Sequence, residues 1–209
     1  AVIAHLRAEL NLDAPIPVQY FHWLTRALQG DLGVSLRTQE PVTHLIAAKL
    51  PVTLEMSLLA MIIALLVGIS MGILAAVNKN SWIDHGTNFV AISGISVPHF
   101  WLGILLILIF SVNLQWLPAS GFVPFAEDPL QNLRTLLLPS LVLGTGLAAT
   151  LMRHTRASMI AVLKADYIRT ARAKGLLPKA VIMKHAFRNA LVPVITLTTL
   201  LFGELLGGA

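Results

Sequence analysis

Between Glu55 and Lys79 the chain runs for 23 residues, 56–78, without a formal charge. A helix rises 1.5 Å per residue, so this run makes about 35 Å of helix, enough to cross a hydrocarbon layer of about 30 Å. Three further stretches qualify: 89–112, then 18 uncharged residues at 135–152 between Arg134 and Arg153, and a last one from near Ala190 interrupted only by Glu204. In lipid every backbone polar group must be paired within the chain, so runs of this length become helices. Composition agrees. The 209 residues are 56% hydrophobic and 12% charged, with a mean hydropathy of +0.77. A soluble domain carries roughly twice that charged share, and a disordered chain is still poorer in apolar residues. The chain has no Cys, which excludes disulfides, thiol nucleophiles and Cys-based zinc sites.

The net charge is +5, and its distribution decides what it means. Nine of the fifteen Lys and Arg lie between Arg153 and Arg188, opposed there only by Asp166. One basic segment between two apolar runs is the pattern of a cytoplasmic loop, and no nucleic-acid-binding motif accompanies it. With that loop inside, the short connection around Lys79 is inside too, while residues 1–50 and the 113–134 loop face outward. The inward segments then hold ten Lys and Arg and the outward ones five. This orientation predicts an extracytoplasmic segment 1–50 and a transmembrane core 51–209, with spans at about 56–77, 89–112, 135–152 and 190–209 and an inside loop at 153–188.

The start is a charged amphipathic stretch (AVIAHLRAELNL) without the apolar region of a secretory signal. Within the outer segment, Pro17 and Gly30 bracket a short helix ending at Leu28, and another begins at Pro41. Glu55, four residues past Pro51, reads as an interfacial carboxylate. The chain lacks an initiating Met and its last run stops at Gly207-Gly208-Ala209, so it reads as an excerpt of a longer protein.

Small residues mark packing faces. Ala60, Ala64, Gly68, Gly72 and Ala76 recur every four residues, a stripe that lets another helix backbone approach closely, and Gly203-xxx-Gly207 repeats the device. Pro98 removes a backbone donor and predicts a break in the second span, beside Ser93, Ser96 and His99. His99 and Glu204 are ionisable groups within spans, which makes them candidates for a hydrophilic path together with Ser93, Ser96, Thr196 and Thr198. For His99 the alternative is a hydrogen bond to a neighbouring helix.

The inside loop is the most informative segment. Leu163, Tyr167 and Ala171 fall at i, i+4 and i+8, giving an amphipathic helix with basic flanks. Gly175 can take a positive φ and end it, and Pro178 can start the next, so two short helices meet at a tight turn. A basic amphipathic helix lying on anionic lipid would have the same pattern.

DYIRTARAKG followed by KHAFRNALVPV resembles the EAA loop of binding-protein-dependent ABC importer permeases, in their dipeptide/oligopeptide/nickel branch. GDLGVSLRTQEPV at 30–42, LPVTLEMSLLA at 50–60, GISVPHFWLG at 94–103 and LQWLPASG at 114–121 are similar to other loops of that branch. The resemblance implies an all-α polytopic bundle of the MetI-like permease type in a bacterial inner membrane. It also implies that the loop's turn docks on a separate ATPase subunit, a role that maps onto Tyr167, Arg169, Thr170, Ala171, Lys174, Gly175, Leu176 and Pro178. The implied partners are a second permease, two ATPase subunits that bind ATP and Mg, and an extracytoplasmic solute-binding protein. Arg169-Thr170-Ala171 departs from the general acidic-Ala-Ala triplet, while Gly175 is kept. The family also implies one further span before this chain and one after it.

No G-x-x-x-x-G-K-[ST] occurs, so ATP hydrolysis is expected in partners rather than here. Gly144-Thr-Gly146-Leu-Ala-Ala149 matches a dinucleotide fingerprint, but Pro139 precedes it and no βαβ alternation surrounds it. The seven His are scattered without a metal-binding pair. An ion-coupled secondary carrier would favour inverted repeats and several intramembrane carboxylates. An intramembrane enzyme would need paired catalytic groups, and Ser93 or Ser96 with His99 carries no signature of a dyad.

Overall fold

The computed structural model describes residues 14–208; the amphipathic stretch at 1–12 and Ala209 lie outside them. The chain divides at Pro51 into two compact units. In the first, α1 (Ile16–Leu28) carries Pro17 in its opening turn and is followed by Gly30 at φ +84°. Asp31 then organises the connection. Its Oδ2 accepts from Arg26 Nε at 2.9 Å and its Oδ1 accepts from the backbone N–H of Gly33 at 2.9 Å. These donors, the Gly33 N–H first and Arg26 second, hold its carboxyl below the ordinary value of 3.8. A single antiparallel bridge between Val34 and Pro41 closes the segment.

α2 (Val42–Val77) begins in this unit and continues past Pro51 into the next. The expected separate helix from Pro41 and the span from Met56 are therefore one element. Proline removes one hydrogen bond from a ladder of roughly thirty, and the apolar run on its far side keeps the helix going.

The second unit continues with α3 (Trp82–Ser96), α4 (His99–Leu106) running into a π-helical stretch Ile107–Asn113, and α5 (Pro129–Leu163). Then come α6 (Asp166–Ala173), the single turn α7 (Pro178–Ala180), a π-helical stretch Val181–Phe187, and α8 (Arg188–Gly208). Asp128 caps α5 by accepting from the N–H groups of Leu130 and Gln131, both at 3.0 Å, with Pro129 at the first helical position. The helix of the third span thus reaches beyond 152 to Leu163, and the helix of the fourth starts before 190, at Pro178.

α5 is the hub, packed by α3, α4 and α8. It meets α2 along the small-residue stripe, whose five members are all buried. A Cβ added at Gly68 would lie 2.7 Å from the Ala148 carbonyl oxygen, and one at Gly72 would lie 2.7 Å from Thr155 Cβ. From the other side, a Cβ at Gly144 would lie 3.0 Å from the Ala60 oxygen. Only glycine permits this approach. The same spacing at Gly203 and Gly207 behaves differently, because nothing lies within 4 Å of either added Cβ. That pair makes no close helix contact within the described residues.

The chain breaks where Pro98 requires it. Val97 N–H donates to the Ser93 oxygen at 3.0 Å as the last bond of α3, and bonding resumes with Leu102 N–H to the Pro98 oxygen at 3.1 Å. α3 and the helix after it are bent by 99° at this point. Two side-chain links tie the chain before and after this break to opposite ends of α5. At one end, buried Asn132 donates to Glu55 Oε2 at 2.5 Å and to the Val123 oxygen at 2.8 Å, tying the loop after α4 to the starts of this unit's part of α2 and of α5. At the other, Asp84 near the start of α3 pairs with Arg156 near the end of α5. Glu55 is therefore more than an interfacial carboxylate: it is the acceptor that satisfies a buried amide.

Candidate functional site

α6 and the turn after it form a Schellman motif. Gly175 has φ +75°; its N–H donates to the Arg172 oxygen at 2.9 Å, and Leu176 N–H donates to the Ala171 oxygen at 3.4 Å. Pro178 then opens α7. Ile168 and Ala171 are buried against Met159 of α5, Ala76 of α2, and Val181, Ala186 and Ala190. The loop is thereby fastened to the ends of three spans. Facing away are Tyr167, 44% exposed, with Arg169, Thr170, Arg172, Lys174, Gly175, Leu176 and Pro178, and Leu177 at 74%.

The apolar face expected from Leu163, Tyr167 and Ala171 does not form. α5 ends at Leu163 and Ala165 is extended at ψ 148°, so Leu163 belongs to a different helix from Tyr167 and the four-residue spacing does not carry across. Ile168 takes the inward place and Tyr167 turns outward. Ala171 contributes to the chain's own core, so its part in the loop is to hold the turn rather than to present surface. Ile168 and Leu177 went unnoticed in the sequence. Both are apolar residues whose sides are set only once the start of α6 is known.

The membrane candidates divide into groups. His99 and Glu204 line one cleft of about 390 Å³, with Thr150, Gly146 and apolar side chains of α5 and α8. The His99 ring lies across the α5 backbone at Gly146, where an added Cβ would stand 2.7 Å from its Cε1. Gly146 therefore admits the imidazole, and Gly144 admits α2. That is why the dinucleotide-like glycines exist, in the middle of a helix. Thr150 donates to the Gly146 oxygen at 3.3 Å. Ser93 and Ser96 line a separate hollow beside Pro98, Phe100 and Trp101. Thr196 and Thr198 donate back to Val192 and Val194 oxygens at 3.3 and 2.8 Å on their own helix, and neither lines the His99–Glu204 cleft.

A third feature was not legible from the basic run. Arg156 donates Nε to Asp84 Oδ1 at 2.6 Å and Nη2 to Oδ2 at 2.7 Å, a bidentate pair with Asp84 only 1% exposed. The carboxylate also accepts from the Asn80 N–H at 2.9 Å and Asn88 Nδ2 at 2.8 Å. The local signal was Ser81, three residues before Asp84, which caps α3.

A basic two-helix loop fastened to spans, and a broken span beside a polar cleft, can be compared with known proteins. Residues 68–209 match the family of binding-protein-dependent transport system inner membrane components. A protein named as a peptide transport system permease in Brucella abortus is 46% identical over 207 residues, covering 99% of this chain. The glutathione transport system permease protein GsiC of Pectobacterium atrosepticum is 47% identical over 209 residues, covering all of this chain. GsiC of Escherichia coli is 46% identical over 208 residues. The chain spans 66% of the length of the first two relatives and 65% of the third. With the matched segment beginning inside α2 and including the broken span, α5, the basic loop and α8, this chain belongs to the family of binding-protein-dependent transport system inner membrane components.

Proposed function

We propose that the chain is the membrane-spanning core of a permease subunit in an ATP-driven ABC importer for di- or oligopeptides or a related small solute. The observation that carries this reading is the loop. Its inner face is cemented to the ends of α2, α5 and α8, while Tyr167, Leu176, Leu177 and a basic rim are offered outward. A push on that surface is delivered to three spans at once. The relatives named as peptide and glutathione permeases support the solute class. In this reading two ATPase subunits bind ATP and Mg, and this loop docks on one of them through Tyr167, Arg169, Thr170, Lys174, Gly175, Leu176 and Pro178, with Ala171 supporting the turn from inside. A second permease completes the pathway, and an extracytoplasmic solute-binding protein delivers to the outer face, where residues 1–50 help receive it. The subunit is not itself an enzyme; it supplies the route.

The route is assigned to the cleft shared by His99 and Glu204, with Ser93 and Ser96 at the broken span and Thr196 and Thr198 nearer the start of α8. A carboxylate that shares a cleft with an imidazole and a hydroxyl suits the ammonium group of a peptide crossing an otherwise apolar region.

The test is Gly175→Pro in the full-length protein expressed with its transport system. Proline fixes φ near −65° and lacks the N–H that Gly175 gives to Arg172, so the turn cannot close. The variant is expected to insert in the membrane but to lose solute uptake and recovery of the ATPase subunits by mass spectrometry. Normal uptake would end the coupling assignment.

A further inference from the structure

Among the described residues three ion pairs occur, and two of them are exposed local contacts, Arg26 with Asp31 and Arg169 with Asp166. The third, Asp84 with Arg156, joins two membrane helices across 72 residues of sequence. Its surroundings give it a direction. Arg156 stands one turn before Met159, which shares a buried cluster with Ile168 and Ala171 of the loop. Asp84 stands in the first turn of α3, whose other end, about 18 Å away, is the break at Val97–Pro98 that places His99 on Gly146. Elsewhere α3 meets α5 through small or flexible side chains: Ala91 clusters with Ala149 and Met152, and Gly94 faces Ala149. Contacts of that kind allow sliding. A bidentate pair held by two more donors does not.

We propose that the Asp84–Arg156 pair is a rigid strut that makes α3 follow the loop end of α5, so that loop movement reaches the broken span and its cleft. Asp84 and Arg156 are positioning residues in this scheme and touch no solute. The inference rests on the coupling role proposed above for the loop. It differs from a stabilising role because a buried ion pair can be replaced by apolar side chains with little loss of stability, whereas such a replacement removes the directional link.

The experiment replaces the strut by one that can be broken at will. These 209 residues contain no Cys, so Asp84→Cys and Arg156→Cys are introduced into a full-length protein free of other thiols. The assembled transporter is reconstituted in vesicles, and the two thiols are joined by a short reducible bis-methanethiosulfonate. The expected result is uptake within about twofold of wild type in the joined state and at least tenfold lower after reduction, with ATPase activity continuing in both. Equal uptake in the two states, high or absent, overturns the strut. Should the double variant fail to assemble, the reversed pair D84R/R156D decides: recovered assembly with recovered uptake supports the strut, and recovered assembly without uptake overturns it. Failure of assembly there too assigns the pair to folding alone and overturns it as well. Failure of the underlying reading has its own signature, namely a wild-type protein that recovers no ATPase subunit.

Discussion

Gly68→Ala isolates the contact that sets how closely α2 and α5 approach. The added Cβ would lie 2.7 Å from the Ala148 carbonyl oxygen and 2.9 Å from Leu151 Cβ. An ordinary carbon–oxygen contact is about 3.3 Å, so the shortfall is about 0.6 Å. A backbone carbonyl in the middle of a helix cannot swing aside as a side-chain tip can, and the helices must therefore separate. Overpacking of this kind costs about 1–3 kcal/mol, while replacing glycine by alanine within a helix returns about 1 kcal/mol of propensity. The expected net loss is about 1 kcal/mol. At Gly72 the obstacle is Thr155 Cβ at 2.7 Å, where an ordinary carbon–carbon distance is about 3.5 Å, and the loss is expected to be slightly larger. The two sites are one turn apart on the same interface. A separation forced by one relieves the other, so the double variant should cost less than the sum, by at least about 0.5 kcal/mol. Gly203→Ala, in a helix with nothing within 4 Å, should keep the propensity gain alone and stabilise the isolated subunit by about 1 kcal/mol. Steric-trapping unfolding of the purified subunit in detergent micelles measures all four. Strict additivity of the pair, or a Gly203→Ala as damaging as Gly68→Ala, would refute the reasoning.

Asn132→Ala leaves Glu55 and the Val123 oxygen without their buried donor and should cost about 1–3 kcal/mol in the same assay, with faster protease cleavage in the 114–128 loop. Unchanged cleavage would detach that loop from the amide. Glu204→Gln removes the carboxylate of the cleft and should lower uptake of peptides with a free ammonium group about tenfold while sparing an N-acetylated one; uptake unchanged for both would remove Glu204 from the route. The Asp31 carboxyl is depressed in the folded chain, so its hydrogen bonds stabilise the Arg26–Gly33 connection above the ordinary value of 3.8 and are lost as pH falls through the lower folded value. The protection of the Gly33 amide, taken relative to an unstructured peptide at the same pH, should fall below that range in wild type, whereas in Asp31→Asn it should show little dependence on this titration.

What the chain's order of residues determined was whatever depends on contiguous runs. A span is the summed transfer free energy of neighbouring side chains, and such a sum is readable along a line. The break at Pro98 and the turn at Gly175 belong here too, because each follows from one residue's backbone chemistry. Helix ends were less legible. α2 passes through Pro51, and the restart at Asp166 turned Tyr167 outward and Ile168 inward. Partnership between helices was not legible at all. Gly68-xxx-Gly72 and Gly203-xxx-Gly207 have one spacing and two environments, because a small face becomes a contact only where another backbone comes to meet it. Asp84 finds Arg156 across 72 residues and Asn132 finds Glu55 across 77. No periodicity of 3.6 reports such distances. Only the packing of α3 and α2 on α5 decides that two charges scattered in a basic protein become one buried link, since a carboxylate shut away from water is tolerable only when its partners are already in place.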